Sequence, residues 1–434
     1  MTAGQSAKTR AGAAGRQLAV LVAMLAAGVG VPVLADDALP GRDVQSLLAF
    51  AREHNPEYAG LRYEADAAAE RVAIAGALPD PKLRTELMDI TRGGEQSASL
   101  SPSRVGSTRY TLLQELPWFG KRDLRGEIAE LEAEGAQGRA FGGWADIAAR
   151  IKTAYAQLYY LRQSERLTQE ILDLMRRLEK VAQIRYASGL AAQQDVIRAQ
   201  VEQTGMHGEL IALETEQHHL QSRLNALLGR PAHAALASPE QLRALPDPAR
   251  LDFSALEEKV RVRNPLLLAE ESRVKATGKS RELAYKNRYP DFTVGFVPNQ
   301  FQNAVRQWDL MVELNIPLQQ STRRAQEREA EALLAAAQSR LSATATQLLA
   351  ELSENLAGLD AARRNEDLLA NSLLPQAEAT FRSALAAYEN GKVDFATLLD
   401  AQRQIRQARQ SRIRALAEGQ ARLAEVERLL GEDL

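Results

Sequence analysis

The sequence predicts a mainly α-helical chain with a small β part, built as two copies of one plan. Three observations carry this. A run without proline, Gly120 to Ser188, keeps apolar residues at alternating spacings of four and three. A glycine-centred motif occurs twice, around Tyr186, Gly189 and Asp195 and around Tyr388, Gly391 and Thr397. Four short segments alternate apolar and polar residues between breaks rich in proline, glycine and serine.

The helical run shows its period at Ile147, Ile151, Ala154, Leu158 and Leu161, and again at Leu167, Ile171, Leu174, Leu178 and Val181. This is coiled-coil spacing. About 68 residues at 1.5 Å each make a helix on the order of 100 Å long. Glycine ends such a run because it carries no Cβ penalty at positive φ. Gly189 and Gly391 are therefore the expected tips of two long αα-hairpins. The outgoing arm after Leu318 is expected as one helix from about Thr322 to Glu389, with Leu334, Leu341, Leu348 and Leu352 on one stripe.

The other elements follow in order. Val44 to His54 reads as a short helix broken at Asn55-Pro56, and a second helix runs to about Ala77. Pro79 and Pro81 stop it, since proline cannot continue a helix. Leu83-Thr85-Leu87 and Tyr110-Leu112 mark two strands, with a polar loop at 93–99 between them. The second half repeats this with Asn264-Pro265, a helix, then strands at Phe292-Val294-Phe296 and Trp308-Leu310-Val312-Leu314. The expected organisation is a signal peptide at 1–35, a first repeat at 36–231, a linker at 232–253 and a second repeat at 254–434. The leader is read from Lys8, Arg10 and Arg16, the apolar stretch Leu18–Gly30, and Val33-Leu34-Ala35 as cleavage site.

Composition narrows the function. The 434 residues are 45% apolar, with few aromatics and no cysteine. Disulfides, thiolate zinc sites and cysteine nucleophiles are excluded, as is a lipid anchor on cysteine. His54, His207, His218, His219 and His233 show no ligand spacing. No nucleophile–base pair, metal motif or phosphate loop points to catalysis. No catalytic residue, metal ligand or cofactor is expected. Loss of the three leader cations takes the formal charge from −2 to −5, which gives no support for nucleic-acid binding.

The lengths suggest an assembly. A returning helix plus the helix before the strands matches one outgoing helix, so two short helices stack end to end beside a long one. Four strands with apolar residues on one face cannot close a membrane barrel alone. Three copies supply about 12, an even number that can close. The expected fold is a trimeric α-helical tunnel of duplicated long αα-hairpins, joined to a 12-stranded transmembrane β-barrel.

The duplicated order, the paired Asn-Pro starts, the two tip motifs and Leu224-Asn225-Ala226-Leu227-Leu228-Gly229 together resemble the TolC-like outer-membrane efflux factors. The likeness covers essentially the whole mature chain. Pro79-Asp80-Pro81 and Glu115-Leu116-Pro117-Trp118-Phe119-Gly120-Lys121 look most like the heavy-metal efflux branch. The resemblance implies a homotrimer in outer membrane lipid, with a tunnel reaching into the periplasm. It implies the passive exit duct of a tripartite pump, with a periplasmic adaptor (membrane fusion) protein and an inner-membrane pump of the RND type. A duct for type I secretion, or a periplasmic coiled-coil scaffold without a pore, are the alternatives.

The resemblance also assigns residues. Asp195, after the first tip, pairs with Tyr388, before the second, to close the tunnel. Where some relatives add an arginine, this chain has Val393. Of two acidic entrance rings, Asp400 supplies one and Thr397 stands at the other position. The adaptor-docking tips are Gly189, Leu190, Ala191, Gly391, Lys392 and Val393. Pro375 is the expected kink that bends the second outgoing helix inward.

Overall fold

The computed structural model describes residues 39–90, 100–301 and 303–434. The expected leader at 1–35 and the loop at 93–99 lie outside them. The elements are α1 (Val44–His54), α2 (Pro56–Gly76), β1 (Lys82–Met88), β2 (Ser107–Leu116), α3 (Lys121–Ala187), α4 (Gln193–Leu227), α5 (Phe253–Arg263), α6 (Pro265–Lys286), β3 (Asp291–Phe301), β4 (Ala304–Asn315), α7 (Gln320–Leu368), α8 (Leu374–Glu389) and α9 (Phe395–Leu430).

The 67-residue helix α3 is the spine of this arrangement. Helices α2, α4, α6 and α9 all pack along it. The end-to-end stacking expected from the lengths is held by the two Asn-Pro pairs. Asn55 caps α2 by accepting from the Tyr58 amide at 2.8 Å, while its side-chain nitrogen donates 2.7 Å to the Leu227 carbonyl at the end of α4. Asn264 does the same between α6 and α9, accepting from Leu266 and Leu267 and donating 2.8 Å to the Leu429 carbonyl. Each asparagine thus satisfies orphan groups of two helix ends at once. Proline in the first turn loses nothing, because its missing N–H would have no helical partner.

The second outgoing arm is not one helix. A π-helical turn, Leu369–Leu373, separates α7 from α8. Pro375 lies in the first turn of α8. Proline lacks the donor for an i−4 bond and its ring crowds the i−4 carbonyl. A wider turn just ahead of it removes that conflict.

The strands form one antiparallel sheet in the order β1-β2-β3-β4. Leu83, Leu112, Phe296 and Leu310 fall in a single cross-strand row. All four are exposed, Leu83 at 71% and Leu310 at 73%. The opposite face carries a polar row. Arg109 lies 3.9 Å from Glu86 and donates 3.2 Å to the Asn299 amide oxygen, and Asn299 donates 2.6 Å to Asp309. Period two puts these two rows on opposite faces. A sheet with its apolar face open and its polar face cross-linked is the reverse of a soluble protein's sheet. Among the described residues no helix is long and apolar enough to cross a membrane.

Apolar packing forms three clusters. One joins α1, α3 and α4 around Ile147, Ile151 and Leu224. Another joins α5, α7 and α9 around Leu256, Leu352 and Val426. The third lies next to the tips, around Met175, Met206, Tyr388 and Phe395.

Candidate functional site

Both tips are built alike. Gly189 and Gly391 each sit at φ +69°. At the first tip the Gly189 amide donates to Tyr186 and Leu190 to Arg185, at 2.9 and 2.7 Å. At the second, Gly391 donates to Tyr388 and Lys392 to Ala387, at 3.0 and 2.8 Å. This crossed pair of bonds satisfies the last carbonyls of a helix and needs a left-handed residue at the turn. Leu190 and Lys392 are exposed beyond the glycines, Ala191 is partly covered, and Val393 packs on the tip cluster.

The same motif produces different environments in its two copies. Tyr186 is 47% exposed, whereas Tyr388 is 2% exposed and packs on Phe395 with ring centroids 5.4 Å apart. The Tyr388 hydroxyl is buried without a hydrogen bond among the described residues. Burial first, then the Asp195 charge, push this phenol up, against an opposing pull from Arg185. Asp195 is itself pushed up, chiefly by burial and also by the Asp394 charge, while Arg198 and Arg185 draw it down. The Asp195 charge thus acts on the Tyr388 phenol, and no hydrogen bond joins the two side chains among the described residues.

Arg185 was not legible in the sequence as a site residue. It leaves the last turn of α3 and donates 2.7 Å to the Glu389 carbonyl at the end of α8. Its other nitrogen lies 3.3 Å from the Leu190 carbonyl, and its guanidinium sits 5.0 Å above the Tyr388 ring. One side chain thus links both tips. A basic residue in a last helical turn ordinarily reads as dipole compensation, and nothing local shows that its partner is 204 residues away.

Thr397 and Asp400 start α9. Asp394 caps that helix, accepting 3.0 Å from the Thr397 amide and 2.7 Å from its hydroxyl, and these bonds hold Asp394 below the usual carboxylate range. Asp400 is exposed and lies 3.7 Å from Arg403, which donates 2.7 Å to Glu202 on α4. About two turns into α9, Gln402 is buried at 2% with neither amide atom bonded among the described residues. Its counterpart Gln200 is exposed and donates 2.8 Å to Glu179. Pro375 lies on the same arm as Tyr388, at the opposite end of α8. No group of three or more His, Cys, Asp or Glu that could hold a metal ion occurs among the described residues.

Residues 47–230 and 256–432 both match the family described as outer membrane efflux protein. The chain belongs to this family. Efflux proteins of this kind are channels and not enzymes. The chain is 25% identical over 411 residues to the cobalt-zinc-cadmium resistance protein CzcC of Cupriavidus metallidurans, covering 92% of this chain and 93% of that one. Among solved structures it resembles the outer-membrane channel OprN, with a TM-score of 0.76 at 20% identity over 89% of each chain. It also resembles VceC of Vibrio cholerae, with a TM-score of 0.76 at 17% identity over 90% of this chain and 96% of that one. CusC gives a TM-score of 0.73 at 16% identity over 91% of this chain and 90% of that one. The mainly helical fold with four antiparallel strands is shared with these structures.

Proposed function

We propose that this efflux protein is the exit duct of a tripartite pump and passes heavy-metal cations from periplasm to exterior. The observation that carries the reading is the sheet, whose open apolar face suits lipid and whose polar row suits a water-filled lumen. Three copies give 12 strands, an even number that can close into a barrel. The helical hairpins then extend the duct into the periplasm, where the tips meet an adaptor and an RND-type pump. The leader at 1–35 directs export, and the repeats at 36–231 and 254–434 each contribute one hairpin to the wall. Likeness to CzcC across most of both chains favours metal cations over a secreted protein as cargo.

At the tips, Asp195, Tyr388, Thr397 and Asp400 form the gate, and the turns around Gly189 and Gly391 receive the adaptor. Pro375, with its π turn, sets the angle at which the second arm approaches the axis. Purified protein should require detergent, run as a trimer and conduct ions in a planar bilayer. Leu310→Arg places a cation on the lipid face, costing roughly 2–4 kcal/mol at a bilayer midplane, and should abolish membrane insertion. A folded, detergent-independent monomer would end this reading.

A further inference from the structure

The apolar face of the sheet does not stop where the strands end. Phe292 pairs with Leu314, four residues nearer the helices than the Phe296–Leu310 pair, so period two puts it on the same face. Trp118, just past β2, stacks on Phe292 and on Tyr289, with ring centroids 5.3 and 5.1 Å away. Phe119 meets the edge of Trp118 at 5.9 Å. Beyond β4, Ile316 continues the alternation of Leu310, Val312 and Leu314. The outermost of these side chains are open: Phe119 is 80% exposed, Tyr289 50% and Leu318 82%.

Cations gather at the same level. The segments where sheet and helices join, 78–81, 118–125, 286–291 and 316–324, hold seven Lys or Arg against three Asp, in a chain whose formal charge is −2. Arg122 and Arg125 sit one turn apart on one face of α3, and Arg324 lies at the start of α7. All three are exposed, and none makes a hydrogen bond or ion pair among the described residues. Lys286 reaches the Phe119 carbonyl at 3.5 Å and has no ion pair among them either. Asp291 and Glu327, whose carboxylates feel Arg125 and Arg324, are already engaged by Lys121 and Arg288. These positions work against the helices that carry them. A cation in a first turn opposes the helix dipole, and like charges one turn apart repel. An anion outside the chain would supply the missing partner.

We propose that this band binds anionic phospholipid headgroups at the periplasmic leaflet, with the aromatic rings at the acyl boundary and Arg122, Arg125, Lys286 and Arg324 on the phosphates. The proposal rests on the membrane-spanning sheet above. A bilayer presents hydrocarbon, then an interface that suits aromatic rings, then phosphate. The apolar row, the Trp118 stack and these cations follow one another in that order. Guanidinium groups grip phosphate oxygens through two parallel bonds, and the surplus of positive charge selects an anionic lipid over a zwitterionic one.

Trp118 reports on this layer directly. Full-length protein carrying Trp144→Phe and Trp308→Phe keeps Trp118 as its one tryptophan. It is reconstituted in bilayers of phosphatidylcholine with phosphatidylglycerol, with a bromine quencher on one lipid or the other. Phosphatidylglycerol should bind beside Trp118 about fivefold more tightly than phosphatidylcholine, the effect of one cation near a charged headgroup. Added salt should weaken the preference. Arg122→Gln, Arg125→Gln, Lys286→Gln and Arg324→Gln together should remove it, whereas Arg122→Lys, Arg125→Lys and Arg324→Lys together should retain most of it. In unmutated protein in detergent, phosphatidylglycerol should raise the thermal transition more than phosphatidylcholine does. Equal quenching by the two brominated lipids, equal thermal shifts, or a preference that survives the glutamine variant overturns the proposal. Quenching of Trp118 by neither lipid would mean that the sheet does not enter a bilayer, and the duct itself fails.

Discussion

Lys152 and Glu427 form a buried ion pair, 2.7 Å long, that joins the first outgoing helix to the last returning one across 275 residues. The Glu427 side chain is 1% exposed. Arg243 from the connection between the repeats donates 2.7 Å to its other oxygen, and the Leu434 amide donates 3.0 Å to the same atom. Asp433 takes a second bond from Lys152. The waist of the molecule is thus fixed by charges that are fully partnered, which is the condition under which buried ions are tolerated.

Removing one member leaves the others exposed to the full cost of desolvation. Lys152→Met should lower stability by about 3–5 kcal/mol, read as an earlier thermal transition in detergent. Lys152→Met combined with Glu427→Gln should recover part of that loss. A single variant as stable as the parent would show that water enters the waist.

Asp195 gives the tips a pH dependence of known sign. Its folded pKa is raised above the ordinary 3.8. The packed tip therefore holds the proton more tightly than the unfolded chain does. The resulting stabilisation is fully present below the ordinary value and is lost as pH rises through the raised one. Conductance of the reconstituted channel should be lower at acidic pH and rise through that window, and Asp195→Asn should flatten the profile. An unchanged profile in the variant would assign the titration to another group.

Tyr388 packs through its ring on Phe395 and beneath the Arg185 guanidinium. Because its buried hydroxyl makes no hydrogen bond among the described residues, Tyr388→Phe should leave stability and conductance near those of the parent. Truncation to alanine removes packing on Phe395 and Arg185, at a cost of about 3–5 kcal/mol for a buried aromatic. Tyr388→Ala should therefore raise conductance. A higher conductance in Tyr388→Phe would mean that the hydroxyl bonds Asp195 in the assembled ring.

Asp400 is exposed, with Arg403 its neighbour at 3.7 Å. In the proposed trimeric duct, three such carboxylates at the entrance draw cations to it. Asp400→Asn should weaken cation selectivity and block by multivalent cations, while the trimer still forms. Selectivity that survives the change would place Asp400 on the outer wall.

Much of the fold could be read from the residues because period and punctuation are local properties. The four strands were visible in Leu83-Thr85-Leu87 and Trp308-Leu310-Val312, and the tips in Gly189 and Gly391. The π turn was not, because a change of backbone register leaves little trace in composition, and Pro375 signals only that something must give nearby. Arg185 and Glu427 escaped notice for another reason. Their partners come from other helices and from the connection between the repeats, so their roles exist only after the hairpins dock. Asp195 and Tyr388 were assigned by resemblance, and within the chain the Asp195 charge acts on the Tyr388 phenol with no hydrogen bond between them among the described residues.

Each short strut beside α3 is spliced at an asparagine rather than drawn as one helix, and this separates length from girth. The span from sheet to first tip is measured by α3 alone, which has no break in its 67 residues. At the splices the backbone leaves the wall and returns, after Leu227 and before Pro265. Inserted residues there thicken the waist and leave the distance from sheet to tip untouched. A residue added inside α3 would instead turn everything beyond it by about 100°. The waist is where such a protein can gain new surface, and the spine is where it cannot change.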